Sequence, residues 1–193
     1  MNYLAHALLS PEDPHILMGN LWGDILKPRD YPVLLPLVYD GIARHRKIDA
    51  FTDQHQSVDE IIKLIRPFQG KYTPVVADVL MDFMLSKFWD NFHHEALDKF
   101  CRQKYKKVSQ HLHLIPERLH PRINRMVSHQ WLESCKDRTR MEHTLVMLSR
   151  RASFENKIPE AMHPYDLHAN KMDELFLIFF EDLRTYINLQ SED

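Results

Sequence analysis

The chain is expected to fold as an all-α protein, and three observations predict it. Apolar residues recur at spacings of three and four along most of its length. Only four glycines occur (Gly19, Gly23, Gly41 and Gly70), with no dipeptide of the kind that turns a β-hairpin. Proline stands mostly between the periodic segments, where it opens or ends helices.

Each element follows from its own residues. Residues 41–53 read as a helix. Residues 59–66 carry a second apolar pattern, closed by Pro67. A third runs from 74 to about 92, with Val75, Val76, Val79, Leu80, Phe83, Met84 and Phe88 on its apolar side. Others are expected from 97 to about 108, from about 118 to 135, and at 140–151. The last, from 167 to about 187, is rich in aromatics (Phe176, Phe179, Phe180, Tyr186) and reads as a core element. No repeat, low-complexity tract or long linker divides the chain, so residues 1–193 are expected to form a single compact domain of about seven or eight helices.

At 193 residues, 44% hydrophobic and 27% charged, the chain can bury a sizeable core without disulfides. Residues 1–15 lack a basic leader, and their apolar stretch is too short for a signal peptide. No run approaches the roughly 18 to 20 apolar residues of a membrane span. Cys101 and Cys135 have no metal or redox spacing. A cytoplasmic protein with reduced thiols is expected. The net charge of −2 says little about partners, but its distribution says more. Residues 102–151 hold twelve Lys and Arg against four Asp and Glu, a surplus of +8, while the rest holds thirteen against twenty-three. Such a segment suits either solvated helix faces or a docking surface for something anionic.

The most informative stretch is Gly41 to His55. On a helix, His45, Asp49 and Asp53 stand at i, i+4 and i+8, about 40° apart around the axis, and share one stripe. Imidazole and carboxylate on one stripe form part of a shell for Mn²⁺, Mg²⁺ or Fe²⁺. The same pattern suits a solvated face flanked by Arg44 and Lys47, and Thr52 and Asp53 also suit the cap of a following helix. A second acidic pair, Asp78 and Asp82, lies among apolar neighbours, so at least one is expected to face inward. A buried carboxylate needs a cation or a metal beside it. His6 lies among apolar residues and Asp24 follows Gly23. Alone, the first reads as a core histidine and the second as a turn cap. With the other two segments they form a His/Asp set spread over several helices. The remaining histidines have no convincing partner, and no phosphate-cradling loop, nucleophile elbow or Cys/His zinc pattern is present.

Four blocks occur in order: Asn2-Tyr3-Leu4-Ala5-His6; Gly19-Asn20-Leu21 with Asp24; Gly41-Ile42, His45-Arg46, Ile48-Asp49 and Thr52-Asp53; and Asp78-Val79, Asp82, Leu85 and Trp89. Together with Gln130-Trp131-Leu132 and Ser149-Arg150-Arg151, they resemble the acyl carrier protein phosphodiesterase family over roughly residues 1–151. The resemblance implies an all-helical fold distantly related to the histidine–aspartate (HD) phosphohydrolases. It also implies hydrolysis of the phosphodiester that joins 4′-phosphopantetheine to a serine of holo-acyl carrier protein, with a divalent cation, typically Mn²⁺. Its partner is then an acidic carrier protein rather than nucleic acid or membrane. The chain departs from the superfamily pattern in having no His-Asp dipeptide, and Phe83 stands where some relatives carry histidine.

On this reading the metal candidates are His6, Asp24, His45 and Asp82, with Asp49 and Asp78 as alternates. Arg46 is the candidate phosphate clamp, since guanidinium matches phosphate in bidentate fashion. Asp53 is the candidate for positioning or deprotonating the attacking water. Two alternatives carry different expectations. A nucleotide phosphohydrolase of the HD type would use a similar site without a carrier protein. A non-enzymatic helical binding module would use the basic 102–151 segment alone.

Overall fold

The computed structural model of the protein describes residues 3–189, so Asn2 of the first block lies outside the described residues. Among these residues the secondary structure is helical, with ten α-helices, short 3₁₀ turns and no strand. The helices are α1 (Tyr3–Leu8), α2 (Pro14–Trp22), α3 (Pro36–Gln54), α4 (Gln56–Gln69), α5 (Thr73–Lys87), α6 (Trp89–Phe92), α7 (Leu97–Gln110), α8 (His120–Ser128), α9 (Arg138–Ser149) and α10 (Met162–Leu189). No helix among them is long and apolar enough to cross a membrane. The chain divides into two compact units. One comprises Tyr3–Asp49 with Trp89–Glu133, and the other comprises Ala50–Phe88 with residues 134–189.

The first unit is built around α2 and the N-terminal part of α3. Asp13 caps α2, accepting from the His15 and Ile16 backbone N–H at 2.8 and 3.3 Å, and Pro14 opens it. Leu17, Met18, Leu21 and Trp22 of this helix are buried with Leu4, Val38, Ile42 and Ile48. Each such side chain contributes about 1.5–3 kcal/mol on burial. The two helices cross at Gly19 and Gly41. A Cβ on Gly19 would overlap the Val38 carbonyl, and one on Gly41 would overlap that of Ile16. Only two glycines let these backbones touch, and that contact sets the register of Asn20 against His45.

The second unit packs α10 along α4 and α5, with α9 against α5. Val58, Ile61 and Ile65 form the buried stripe of α4 at spacings of three and four. They share this core with Val76, Leu80, Met84, Leu145, Phe176, Phe179, Phe180 and Leu183. The three phenylalanines of α10 have ring centroids 5.5–6.4 Å apart, in stacked and edge-on pairs.

The all-α expectation holds, with element bounds that differ from those the sequence suggests. Pro67 does not end its helix; α4 continues to Gln69, because a proline in the last turn removes only one hydrogen bond. The 74–92 segment breaks at Phe88, whose φ of −103° and ψ of 22° leave the helical region, so α6 is separate. The 118–135 segment is a helix only to Ser128, because Gln130 adopts a φ of +53°. The cap of α4 is His55, whose ring accepts the Ser57 N–H at 3.2 Å; Thr52 and Asp53 belong to α3.

Candidate functional site

Four of the predicted residues converge in the first unit. Helix α1 supplies His6, the turn after α2 supplies Asp24, and α3 supplies His45 and Asp49 one turn apart. His45 Nε2 lies 3.1 Å from both Asp24 Oδ1 and Asp49 Oδ2, and His6 Nε2 lies 3.3 Å from Asp49 Oδ1. The two imidazoles stack, with centroids 4.1 Å apart and planes 20° apart. Gly23 makes room for this: a Cβ there would come within 2.5 Å of the His45 ring.

Asn20 orients both rings. Its side-chain nitrogen donates to the His6 carbonyl at 2.9 Å and to Ser10 Oγ at 2.8 Å, and Ser10 Oγ donates to the same His6 carbonyl at 2.8 Å. With the amide nitrogen so committed, Asn20 Oδ1 faces His6 Nδ1 at 2.9 Å and must accept from it. The Asn20 main-chain carbonyl accepts from His45 Nδ1 at 2.7 Å. Both rings therefore hold a hydrogen on Nδ1 and turn Nε2 toward the carboxylates. Those two Nε2 atoms are buried, with the carboxylates of Asp24 and Asp49 as their polar neighbours.

The charges fit the same picture. Burial pushes the His6 pKa below its usual value, against the pull of Asp49, and the neighbouring His45 adds to this. Burial acts on His45 in the same direction, but Asp24 and Asp49 outweigh it and lift its pKa to about 9. Burial raises Asp49, yet the imidazoles of His45 and His6 hold it far below the carboxylate range; His45 also depresses Asp24. Without a cation, protonated His45 thus sits between two carboxylates.

Within this set, the donors of His6, His45 and Asp49 have spacings that fit a divalent cation. Neighbouring ligand atoms on an octahedral ion, each about 2.1 Å away, stand about 3 Å apart, close to the contacts seen here. His6, His45 and Asp49 offer ligand atoms all within 4.8 Å of one another. Each imidazole is oriented through its other nitrogen, as metal-ligating histidines are. The Asp24 side chain is 82% exposed and Asp49 32%, so the group opens to solvent on the Asp24 side.

Arg46, next to His45, is exposed and donates from Nη2 to Tyr31 Oη at 2.6 Å. The other candidates lie in the second unit: Asp53 exposed on α3, Asp78 half-buried and Asp82 buried on α5. The basic 102–151 segment is divided between the units and is partly neutralised within each. Lys104 and Lys107 meet Glu12, Arg118 meets Asp30, and Arg138 meets Glu142 and Asp166. Sequence reasoning missed the role of Asn20. A polar residue beside a helix-crossing glycine in an otherwise apolar helix was the available signal.

A family model described as acyl carrier protein phosphodiesterase matches residues 1–183. Curated relatives of that name are similar over nearly the full length. The Enterobacter sp. (strain 638) protein is 28% identical over 181 residues, covering 93% of this chain and 94% of its own. The Klebsiella pneumoniae subsp. pneumoniae protein is 29% identical over 188 residues, covering 95% of each, and the Salmonella dublin protein is 27% identical over 181 residues, covering 93% and 94%. No solved structure matches the chain.

Proposed function

The chain belongs to the acyl carrier protein phosphodiesterase family, and on that premise we propose that it hydrolyses the phosphodiester between 4′-phosphopantetheine and a serine of holo-acyl carrier protein. His6, Asp24, His45 and Asp49 are the proposed ligands of a divalent cation. The observation that carries this reading is the gathering of His6, His45 and Asp49, with Asp24 on His45, through contacts of 3.1–3.3 Å and with both imidazoles oriented through Asn20.

Such a cation, Mn²⁺ by resemblance and with Mg²⁺ and Fe²⁺ suited to the same donors, neutralises phosphoryl oxygens and activates water when bound. The chain's own residues do the rest. Arg46, held on Tyr31 beside His45, is the proposed clamp on the phosphoryl oxygens. Asp53, one turn beyond Asp49 on α3, is the proposed acceptor of the water proton. Asp78 and Asp82 are the acids that α5 adds to the candidate set. The water oxygen bonds to phosphorus, the bond from phosphorus to the serine Oγ breaks, and that oxygen takes up a proton. Phosphate leaves with the pantetheine arm. Buried thiols at Cys101 and Cys135 accord with a cytoplasmic setting.

Incubation of the purified protein with holo-carrier protein and Mn²⁺, followed by mass spectrometry of the carrier, tests the reading. Conversion to the apo mass is expected. An unchanged carrier, or turnover of a nucleotide in its place, would overturn it.

A further inference from the structure

We propose that the strap joining α2 to α3 is the surface on which the protein part of the substrate docks, an inference that rests on the carrier-protein reading above. The strap is anchored from within. Leu26 and Leu34 are buried. Asp30, also buried, accepts the Lys27 backbone N–H at 2.8 Å and the Arg118 guanidinium. Tyr31 packs edge-on against Tyr39, with centroids 5.3 Å apart, and the Tyr39 hydroxyl donates to its carbonyl. Pro28, Pro32 and Pro36 fix φ at three further points.

A strap held this firmly has no need of outward apolar residues, yet Val33 and Leu35 are 75% and 49% exposed, and Leu37 in the first turn of α3 is 43% exposed. A preorganised aliphatic patch suits association, because little ordering is required on binding. Lys27 and Arg29 are exposed on the same strap and Arg46 is tied to it through Tyr31, against one exposed acid, Asp40, one turn beyond Leu37, so the partner face that fits is apolar at its centre and mainly acidic at its rim. Position supports the same occupant. Lys27 Nζ donates to the Asp24 carbonyl at 2.7 Å, and Arg46 donates to Tyr31 of the strap. A protein seated here presents a serine-linked phosphodiester to the His/Asp group. A lipid surface fits less well, since Tyr31 of the strap is packed against Tyr39, and three aliphatic residues without a long amphipathic helix make a weak membrane contact.

The test compares the wild-type protein with a V33S/L35S/L37S variant and with Arg29→Glu, each confirmed as folded by its circular dichroism melt. Calorimetry with holo-carrier protein reads affinity directly, and the ratio of carrier to bis(p-nitrophenyl) phosphate turnover reads the substrate dependence. Both variants are expected to weaken carrier affinity about tenfold and to lower that ratio by a similar factor. Unchanged affinity in folded variants overturns the inference. So does anionic-vesicle binding by the wild type that the variants lose while carrier affinity stays constant. Carrier that binds wild type through the strap but is never cleaved refutes the proposed reaction and leaves the docking surface standing.

Discussion

The side-chain oxygen of Asn20 lies 2.9 Å from Nδ1 of His6, and this contact decides which nitrogen His6 offers to the carboxylates. The partners of the Asn20 amide nitrogen leave only one orientation for the group. His45 is oriented by the main-chain carbonyl of the same residue, which a side-chain substitution leaves in place.

Asn20→Leu is therefore expected to release His6 while sparing His45. Mn²⁺ affinity should fall about 10- to 100-fold. Long-range ¹H–¹⁵N NMR should show His6 losing its Nδ1–H form as His45 keeps its own. The fold should lose about 1–3 kcal/mol, since the His6 carbonyl and Ser10 hydroxyl lose a buried partner. Unaltered metal affinity in this variant would remove Asn20 from the account.

Gly23→Ala tests the same geometry from the other side. The added methyl must displace the His45 ring. Turnover per folded molecule should fall by roughly tenfold to a hundredfold, the scale of an ångström-sized misplacement, and more sharply than the melting temperature. Parallel loss of both would point to a packing defect alone.

The carboxylates of α3 should separate by role. Asp49 touches both imidazoles, so Asp49→Asn should weaken Mn²⁺ binding by at least about tenfold. Asp53 is exposed one turn further along. Asp53→Asn should slow turnover yet keep metal affinity within about twofold, because its proposed role is toward water. Titration of each variant with Mn²⁺, read by the electron paramagnetic resonance of the free ion, makes the comparison.

Glu12 provides a pH prediction away from the site. Hydrogen bonds from Lys107 and Lys104 lower its pKa to about 2 from an ordinary value near 4.5. A depressed acid stabilises the fold above its unfolded pKa, and that contribution disappears as pH falls through the folded value. The stability difference between the wild type and Glu12→Gln should be full above about pH 4.5 and vanish toward pH 2. Because the Glu12 side chain is 83% exposed, the difference should be small and should shrink with salt. A gap that persists below pH 2 would show that packing, and not charge, ties this loop to α7.

Most of the helical fold was legible in the sequence, because buried stripes such as Val58, Ile61 and Ile65 repeat at the helical period. Its interruptions were less so: Phe88 and Gln130 leave the helix through backbone angles that no residue type there demands. In the site, the His45–Asp49 pair was visible as an i,i+4 spacing. His6 and Asp24 entered the expected set through the His/Asp residues spread over several helices and the family resemblance, not through any spacing, because their approach depends on α2 and α3 touching at Gly19 and Gly41. Composition overstated the basic 102–151 segment, because Glu12, Asp30 and Asp166, which neutralise parts of it, lie outside it. The exposed aliphatic residues Val33, Leu35 and Leu37 lie in a nearly continuous apolar run, which did not mark them as outward-facing.

On the proposed function, His6, Asp24, His45 and Asp49 hold the cation on which hydrolysis depends. The most direct test is turnover of holo-carrier protein per folded molecule, at saturating Mn²⁺, in Asp24→Ala and His45→Ala. Each variant removes one side of the 3.1 Å contact between Asp24 Oδ1 and His45 Nε2. Loss of turnover by about a hundredfold or more is expected in both, with helical circular dichroism retained and carrier affinity largely kept. Turnover within about twofold of wild type in both folded variants would contradict it and move the search to Asp78 and Asp82.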